Sequence, residues 1–214
     1  MTTVDWVKAF EPLIKQYKGR KHPLNYQNRY QLLVMVLLSA QDSDRNINML
    51  APALFERYPS MKALATAKPE DLYRYIKHVR NFATKARWLT QIATTLEDDK
   101  NIPATLEELT KLPGIGRKSA NVIIRESGGP AEGIIVDLHV RRVAPRIGIA
   151  TSDKPEKIEK QMMEVLPKRY WNDAGMACSF LGREICRPTN PKCGDCVMID
   201  VCQYYKTVIK KKKA

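Results

Sequence analysis

The chain of 214 residues is poor in aromatics, 7% of its length, and its 10 glycines and 13 prolines are scattered rather than clustered. Collagen-like, coiled-coil and disordered compositions are thereby excluded, and no internal repeat is visible. Long apolar runs are also missing: the longest, LLVMVLL at residues 32–38, falls far short of the roughly 20 residues that span a bilayer. The opening MTTVDWVKAF has neither a basic n-region nor an apolar h-region, so a secretory signal is not expected and an intracellular place, cytoplasm or nucleoid, is. There thiols stay reduced, and five cysteines read as ligands or core residues before disulfides.

Acid is in deficit as well, 23 Asp and Glu against 36 Lys and Arg, for a formal charge of +13. Such an excess favours a polyanionic partner, with nucleic acid first. A membrane surface would call for an amphipathic basic helix with a clean apolar face, and the sequence has none.

What the sequence does have is helical periodicity, as in Val7, Phe10, Leu13, Ile14 and Tyr17, with Pro12 breaking confidence in the middle of that segment. Pro69 with Glu70 and Asp71 opens a helix toward His78, and Pro155 with Glu156 opens one toward Val165. Thr105 to Glu108 spells a capping box. Only GIIVDLHV could pass for a strand, and it suits a buried helix start equally well. The fold class is all-α. Punctuation near residues 21–23 and 127–133 marks off a central helical block, 23–133, from a second lobe made of 1–22 with 134–214. The basic tail YYKTVIKKKKA reads as solvated and frayed.

The stretch LPGIGRKSANVII places a glycine turn between two helices, 106–111 and 117–126. A Walker loop needs Gly immediately before Lys-Ser, and Arg117 stands there; a dinucleotide fingerprint needs a preceding strand, and LEELTK is helical. The remaining reading is a hairpin in which Gly114 and Gly116 adopt backbone conformations closed to other residues. Bare N–H groups then meet a phosphate with Arg117 beside them, without reading bases.

Near the end, Cys186, Cys193, Cys196 and Cys202 form a C-x6-C-x2-C-x5-C spacing. Four thiolates so close can close on one metal centre, and chemistry alone leaves structural zinc and a [4Fe-4S] cluster both open. Arg183, Arg187 and Lys192 crowd this segment and could be presented to a DNA backbone. Cys178, outside the spacing, reads as a small core residue. Asp137 stands alone among apolar residues in IIVDLHVRRV, where it could cap a helix starting near Leu138, and His139 reads as structural.

Together and in this order, LPGIGRKSAN, VDLHVRRV and the cysteine spacing resemble the endonuclease III family of helix-hairpin-helix DNA glycosylases, from LLSAQDSD to Cys202. The resemblance implies a six-helix block holding the hairpin, a second lobe with a [4Fe-4S] cluster on the four cysteines, and double-stranded DNA with damaged bases or abasic sites in the groove between lobes. A monomer is expected. It implies Lys118 as the nucleophile and Asp137 as its acidic partner. It also implies that Gln41 fills the space left by an extruded base and that Asp44 belongs to the lesion-pocket wall. At its ordinary pKa, a lysine is neutral in roughly one molecule in a few thousand at pH 7, so such a site must lower it. The family's adenine-mismatch glycosylases typically carry Ser where Lys118 stands, so this chain is similar to the bifunctional branch, which acts on oxidised pyrimidines. Two departures stand out: Arg80, Asn81 and Phe82 replace a Gly-Leu-Tyr-like wedge, making Asn81 or Phe82 the wedge candidate, and the loop SGGPAEG is longer than usual. The alternatives are a monofunctional glycosylase of other lesion preference, with Lys118 structural, and a non-catalytic metal-stabilised DNA-binding module.

Overall fold

The structure, a computed structural model, describes residues 4–210. Among the described residues it contains no strand. Its α-helices are α1 (Trp6–Gln16), α2 (Arg29–Leu38), α3 (Asp44–Arg57), α4 (Met61–Leu64), α5 (Pro69–Ile76), α6 (Phe82–Leu96), α7 (Leu106–Lys111), α8 (Arg117–Glu126), α9 (Leu138–Ile147), α10 (Pro155–Val165) and α11 (Lys168–Glu184). The helix starts read from Pro69, Thr105 and Pro155 are all present. The chain divides into two units, one of Met1–Arg20 with Pro130–Ala214 and the other Lys21–Gly129.

The Lys21–Gly129 unit is built around α2. Tyr30 and every residue from 32 to 38 are buried, and a helix apolar on all sides has to sit in a core. That is the origin of the long apolar run in the sequence. Asn28 caps its start by accepting from the Gln31 N–H at 2.9 Å. Its other end is closed by a cation: Lys85 of α6, 2% exposed, donates its Nζ to the carbonyls of Leu38 at 2.7 Å and Ala40 at 2.6 Å. An ammonium there meets both the orphan carbonyls and the negative end of the helix. α8 packs against α2, and its last residue, Glu126, accepts from the Tyr26 hydroxyl and pairs with Arg125.

In the other unit α1 lies on α11. Phe10, Leu13 and Tyr17 point inward, the Tyr17 ring stacks on Phe180 at 5.6 Å, and Arg20 sits 4.1 Å over Phe180 while pairing with Glu184 at 2.6 Å. Burial and the neighbouring Glu184 push the Tyr17 hydroxyl up to about 12. Pro12 does not interrupt α1: it lies on the exposed face, where the carbonyl it leaves unpaired can face water. Residues 134–136 are buried but join no sheet, and α9 begins directly after Asp137. Near the C-terminus, Tyr205–Ile209 form a π-helical turn, and the last four residues of the basic tail lie outside the described residues.

One face of α11 carries Gly175, Ser179 and Gly182, at i, i+4 and i+7. A Cβ at Gly175 would lie 2.4 Å from the Ile135 carbonyl oxygen, and one at Gly182 would lie 2.8 Å from the His139 Cβ. The small residues therefore set how closely residues 135–143 approach the helix. Gly175→Ala must push backbone against backbone and should cost about 1–3 kcal/mol, read as a lower midpoint in thermal denaturation.

Candidate active site and thiol cluster

In the hairpin, Thr105 caps α7 through the Glu108 N–H at 3.3 Å, residues 112–116 turn, and α8 follows. Gly114 has φ +78°, and a Cβ on it would lie 2.4 Å from the Trp88 ring, so no other residue fits. Gly116 is different and corrects the expectation that both glycines need unusual backbone freedom: its φ is −87° and an added Cβ would meet nothing within 4 Å. Its value is bareness. As the N-cap of α8 it makes no side-chain cap hydrogen bond, and it brings no side chain to the positive end of that helix. Arg117 follows on the exposed side, and Lys118, one residue on, is half-buried.

Asp137 is the N-cap of α9. Its Oδ1 accepts from the N–H groups of His139 at 2.8 Å and Val140 at 2.9 Å, and its Oδ2 accepts from the Ser179 hydroxyl at 2.6 Å. The capping role read from the sequence is real, yet it occupies one oxygen only. Ser179, fully buried, meets the other from α11. Adjacent Cys178 is enclosed in the core, and burial pushes its thiol far up. His139 lies 3.3 Å from the Arg142 guanidinium, a structural contact.

Two further turns expose polar tips. Gln41, after α2, has φ 60°, and Asn81, before α6, has φ 57°; each such non-glycine conformation costs about 1 kcal/mol or more and persists only where its surroundings impose it. Phe82 is half-buried, its ring edge-on to Tyr73 at 5.1 Å, which leaves Asn81 as the exposed tip of this turn. Asp44 opens α3.

Cys186, Cys193, Cys196 and Cys202 line one pocket with Ile147, Leu181 and Ile185. Among the described residues no three His, Cys, Asp or Glu side chains gather to hold a single ion. Burial pushes the Cys196 thiol up to about 11 and raises that of Cys202, and each is raised further by neighbouring cysteines. Arg146 donates to the Cys186 sulfur at 3.6 Å and to the Arg187 carbonyl at 2.8 Å. Arg142 donates to the carbonyls of Cys186 at 3.0 Å and Gly182 at 2.8 Å. Arg187 and Lys192 are exposed, whereas Arg183 is partly enclosed.

The profile of the HhH-GPD superfamily base excision DNA repair proteins matches residues 34–168. An endonuclease III from Synechocystis sp. is 35% identical over 192 residues, covering 89% of this chain and 88% of its own. The chain belongs to the endonuclease III family. Two solved structures, a trapped endonuclease III–DNA covalent intermediate in its estranged-adenine complex and a non-covalent endonuclease III–DNA complex, are 31% and 32% identical. Each superposes with TM-score 0.86 over 100% of both chains. A thermostable thymine-DNA glycosylase, 19% identical with TM-score 0.74, shares the fold alone.

Three residues of this endonuclease III family member escaped the sequence reading: Asp42, Lys85 and Ser179. Lys85 had a signal, since it falls on the buried stripe of α6 with Leu89, Ile92 and Leu96, a position where a lysine must find acceptors. Ser179 had none beyond its place between two glycines on one helix face. Among the described residues no helix is long and apolar enough to cross a membrane.

The two hairpin glycines should separate in experiment. Gly114→Ala should cost about 2 kcal/mol or more by strain and overlap with Trp88. Gly116→Ala should cost under about 1 kcal/mol yet weaken duplex binding by placing a methyl group at the start of α8. Thermal denaturation and binding titrations at fixed salt check both.

Proposed function

We propose that this chain is a base-excision repair enzyme, a bifunctional DNA glycosylase and abasic-site lyase, with Lys118 as nucleophile and Asp137 as its acidic partner. The single observation that carries the reading is Asp137, a carboxylate held by three donors at the start of α9 in a chain whose hairpin lysine matches the family's nucleophile. Breaking an N-glycosidic bond builds positive charge on the sugar, which a fixed carboxylate stabilises. The neutral amine of Lys118 attacks C1′, the base leaves with the bonding pair and takes up a proton, and the amine nitrogen sheds one; the C1′–O4′ bond then breaks, O4′ takes up a proton and the opened sugar is held as an iminium. Removal of a C2′ proton then expels the 3′ phosphate by breaking the C3′–O bond. Asp137 is a candidate for moving these protons.

Duplex DNA is bound by its backbone at Gly114, Gly116 and Arg117, with Arg187, Lys192 and Arg183 adding cations near the cysteine loop. Gln41, Asp44 and Asn81 act where the nucleotide is extruded, and Phe82 supports Asn81. Oxidised pyrimidines are the proposed lesions, met inside the cell at the chromosome by a single copy of the enzyme. The four cysteines would hold a [4Fe-4S] cluster: thiols spread around a shared pocket suit four irons, whereas zinc draws four sulfurs onto one point at about 2.3 Å. Bound there, the cluster ties the C-terminal loop together and supplies no step of the reaction.

Borohydride should trap wild-type protein covalently on duplex DNA containing thymine glycol or an abasic site. Lys118→Ala should abolish the adduct, and an undiminished adduct would sink this lysine as nucleophile. Asp137→Asn and, more mildly, Ser179→Ala should slow single-turnover base release, by on the order of 100-fold and tenfold, while leaving duplex affinity near wild type. Purified protein should be brown and carry about four irons per chain; colourless protein holding zinc would overturn the cluster.

A further inference from the structure

The turns that carry Gln41 and Asn81 are tied together by one carboxylate. Asp42, next to Gln41, accepts through Oδ1 from the Ser43 N–H at 2.8 Å and the Asn46 side-chain amide at 2.9 Å. Through Oδ2 it accepts from the N–H of Arg80, next to Asn81, at 3.0 Å. That last bond joins segments 38 residues apart in sequence. Asn46 adds a second link, its amide lying 3.5 Å from the His78 carbonyl.

Lys85 engages the same two turns from below. Its ammonium donates to the carbonyls of Leu38 and Ala40, just before Gln41, and its backbone N–H donates to the Asn81 carbonyl at 3.0 Å. Burial opposes ionisation of Asp42, but the donors from Arg80, Asn46 and Ser43, with the charge of Lys85, outweigh it and hold the carboxyl below its ordinary value. Burial likewise lowers Lys85, with the Asp42 charge acting against it.

Neither tip is glycine, so neither turn keeps its left-handed shape by default. Both tips are exposed and both are amides, able to donate and accept at the edge of an unpaired base. A loose pair would have to be ordered as it entered the stack, and that entropy would be charged to extrusion.

We propose that Asp42 is a positioning residue that fixes Gln41 and Asn81 as one preassembled two-pronged element entering the duplex beside the extruded nucleotide. This rests on the reading of those two residues as base-extrusion groups. The hairpin grips phosphate without Asp42, and Lys118 reacts without it once the sugar is out of the stack. Its effect is therefore confined to substrates that must be opened.

The test compares Asp42→Ala and Asp42→Asn with wild type. Asparagine can keep its oxygen toward Ser43 and Asn46 but then turns an NH2 group onto the Arg80 N–H, so it should not rescue. Stopped-flow fluorescence of 2-aminopurine beside a thymine glycol in duplex DNA reads extrusion directly, whatever the fate of Lys118. Borohydride trapping on an abasic single strand reads the lysine chemistry with no stack to open. Both variants should extrude and excise on the order of tenfold more slowly on the duplex, with single-strand trapping unchanged, and Asp42→Ala should add less than its own loss to that of Asn81→Ala. Unchanged extrusion in both variants overturns the proposal. So does an equal loss on the single strand, which would make Asp42 merely structural. Wild-type protein that gives a normal extrusion signal but no adduct on either substrate would instead defeat the Lys118 reading and leave Asp42 standing.

Discussion

The close approach of residues 135–143 to α11 is the constraint on which the Pro130–Ala214 segment depends. Gly175 admits the Ile135 carbonyl and Gly182 admits His139, so the chain between them has one depth available. At that depth Ser179 reaches Asp137 and α9 starts. The same short helix carries Arg142 and Arg146 toward its far end, where they hold the carbonyls of Cys186, Arg187 and Pro188. A carboxylate and a thiol loop thus ride on opposite ends of one rod, and anything that anchors the loop also steadies the carboxylate.

Asp137 shows how a helix cap can leave a carboxylate oxygen for the role proposed for it. A cap needs one oxygen aimed at the first N–H groups of the helix, which leaves the second oxygen of an aspartate for other work. Ser or Thr at this position would cap α9 with no oxygen to spare and Asn would offer an NH2 group in its place, so the preference for Asp is a matter of valence as much as of charge.

The fold was largely legible because it is written in short-range rules. Pro69, Thr105 and Pro155 announce helices, 32–38 announces a core, and the hairpin helices lie where LEELTK and RKSANVIIRE placed them. Pro12 misled because a proline on an exposed helix face is tolerated, and exposure is not local information. The same limit hid the supporting groups of the site. Lys118, Asp137 and the four cysteines stand in motifs, but Asp42 acts on Arg80 and Ser179 acts on Asp137 across 38 and 42 residues of chain, distances that only folding closes. Gly116 was noticed for the wrong reason: its backbone is ordinary, and what counts is the side chain it omits.

The cations that close the chain on itself bear on how the protein meets salt water. Lys85, Arg142 and Arg146 each point inward to carbonyl oxygens, and Arg20 is matched by Glu184. These groups count toward the +13 but displace few condensed ions from a nucleic acid, since release follows phosphates neutralised and not formal charge. The chain is thus a less sticky polycation than its composition suggests.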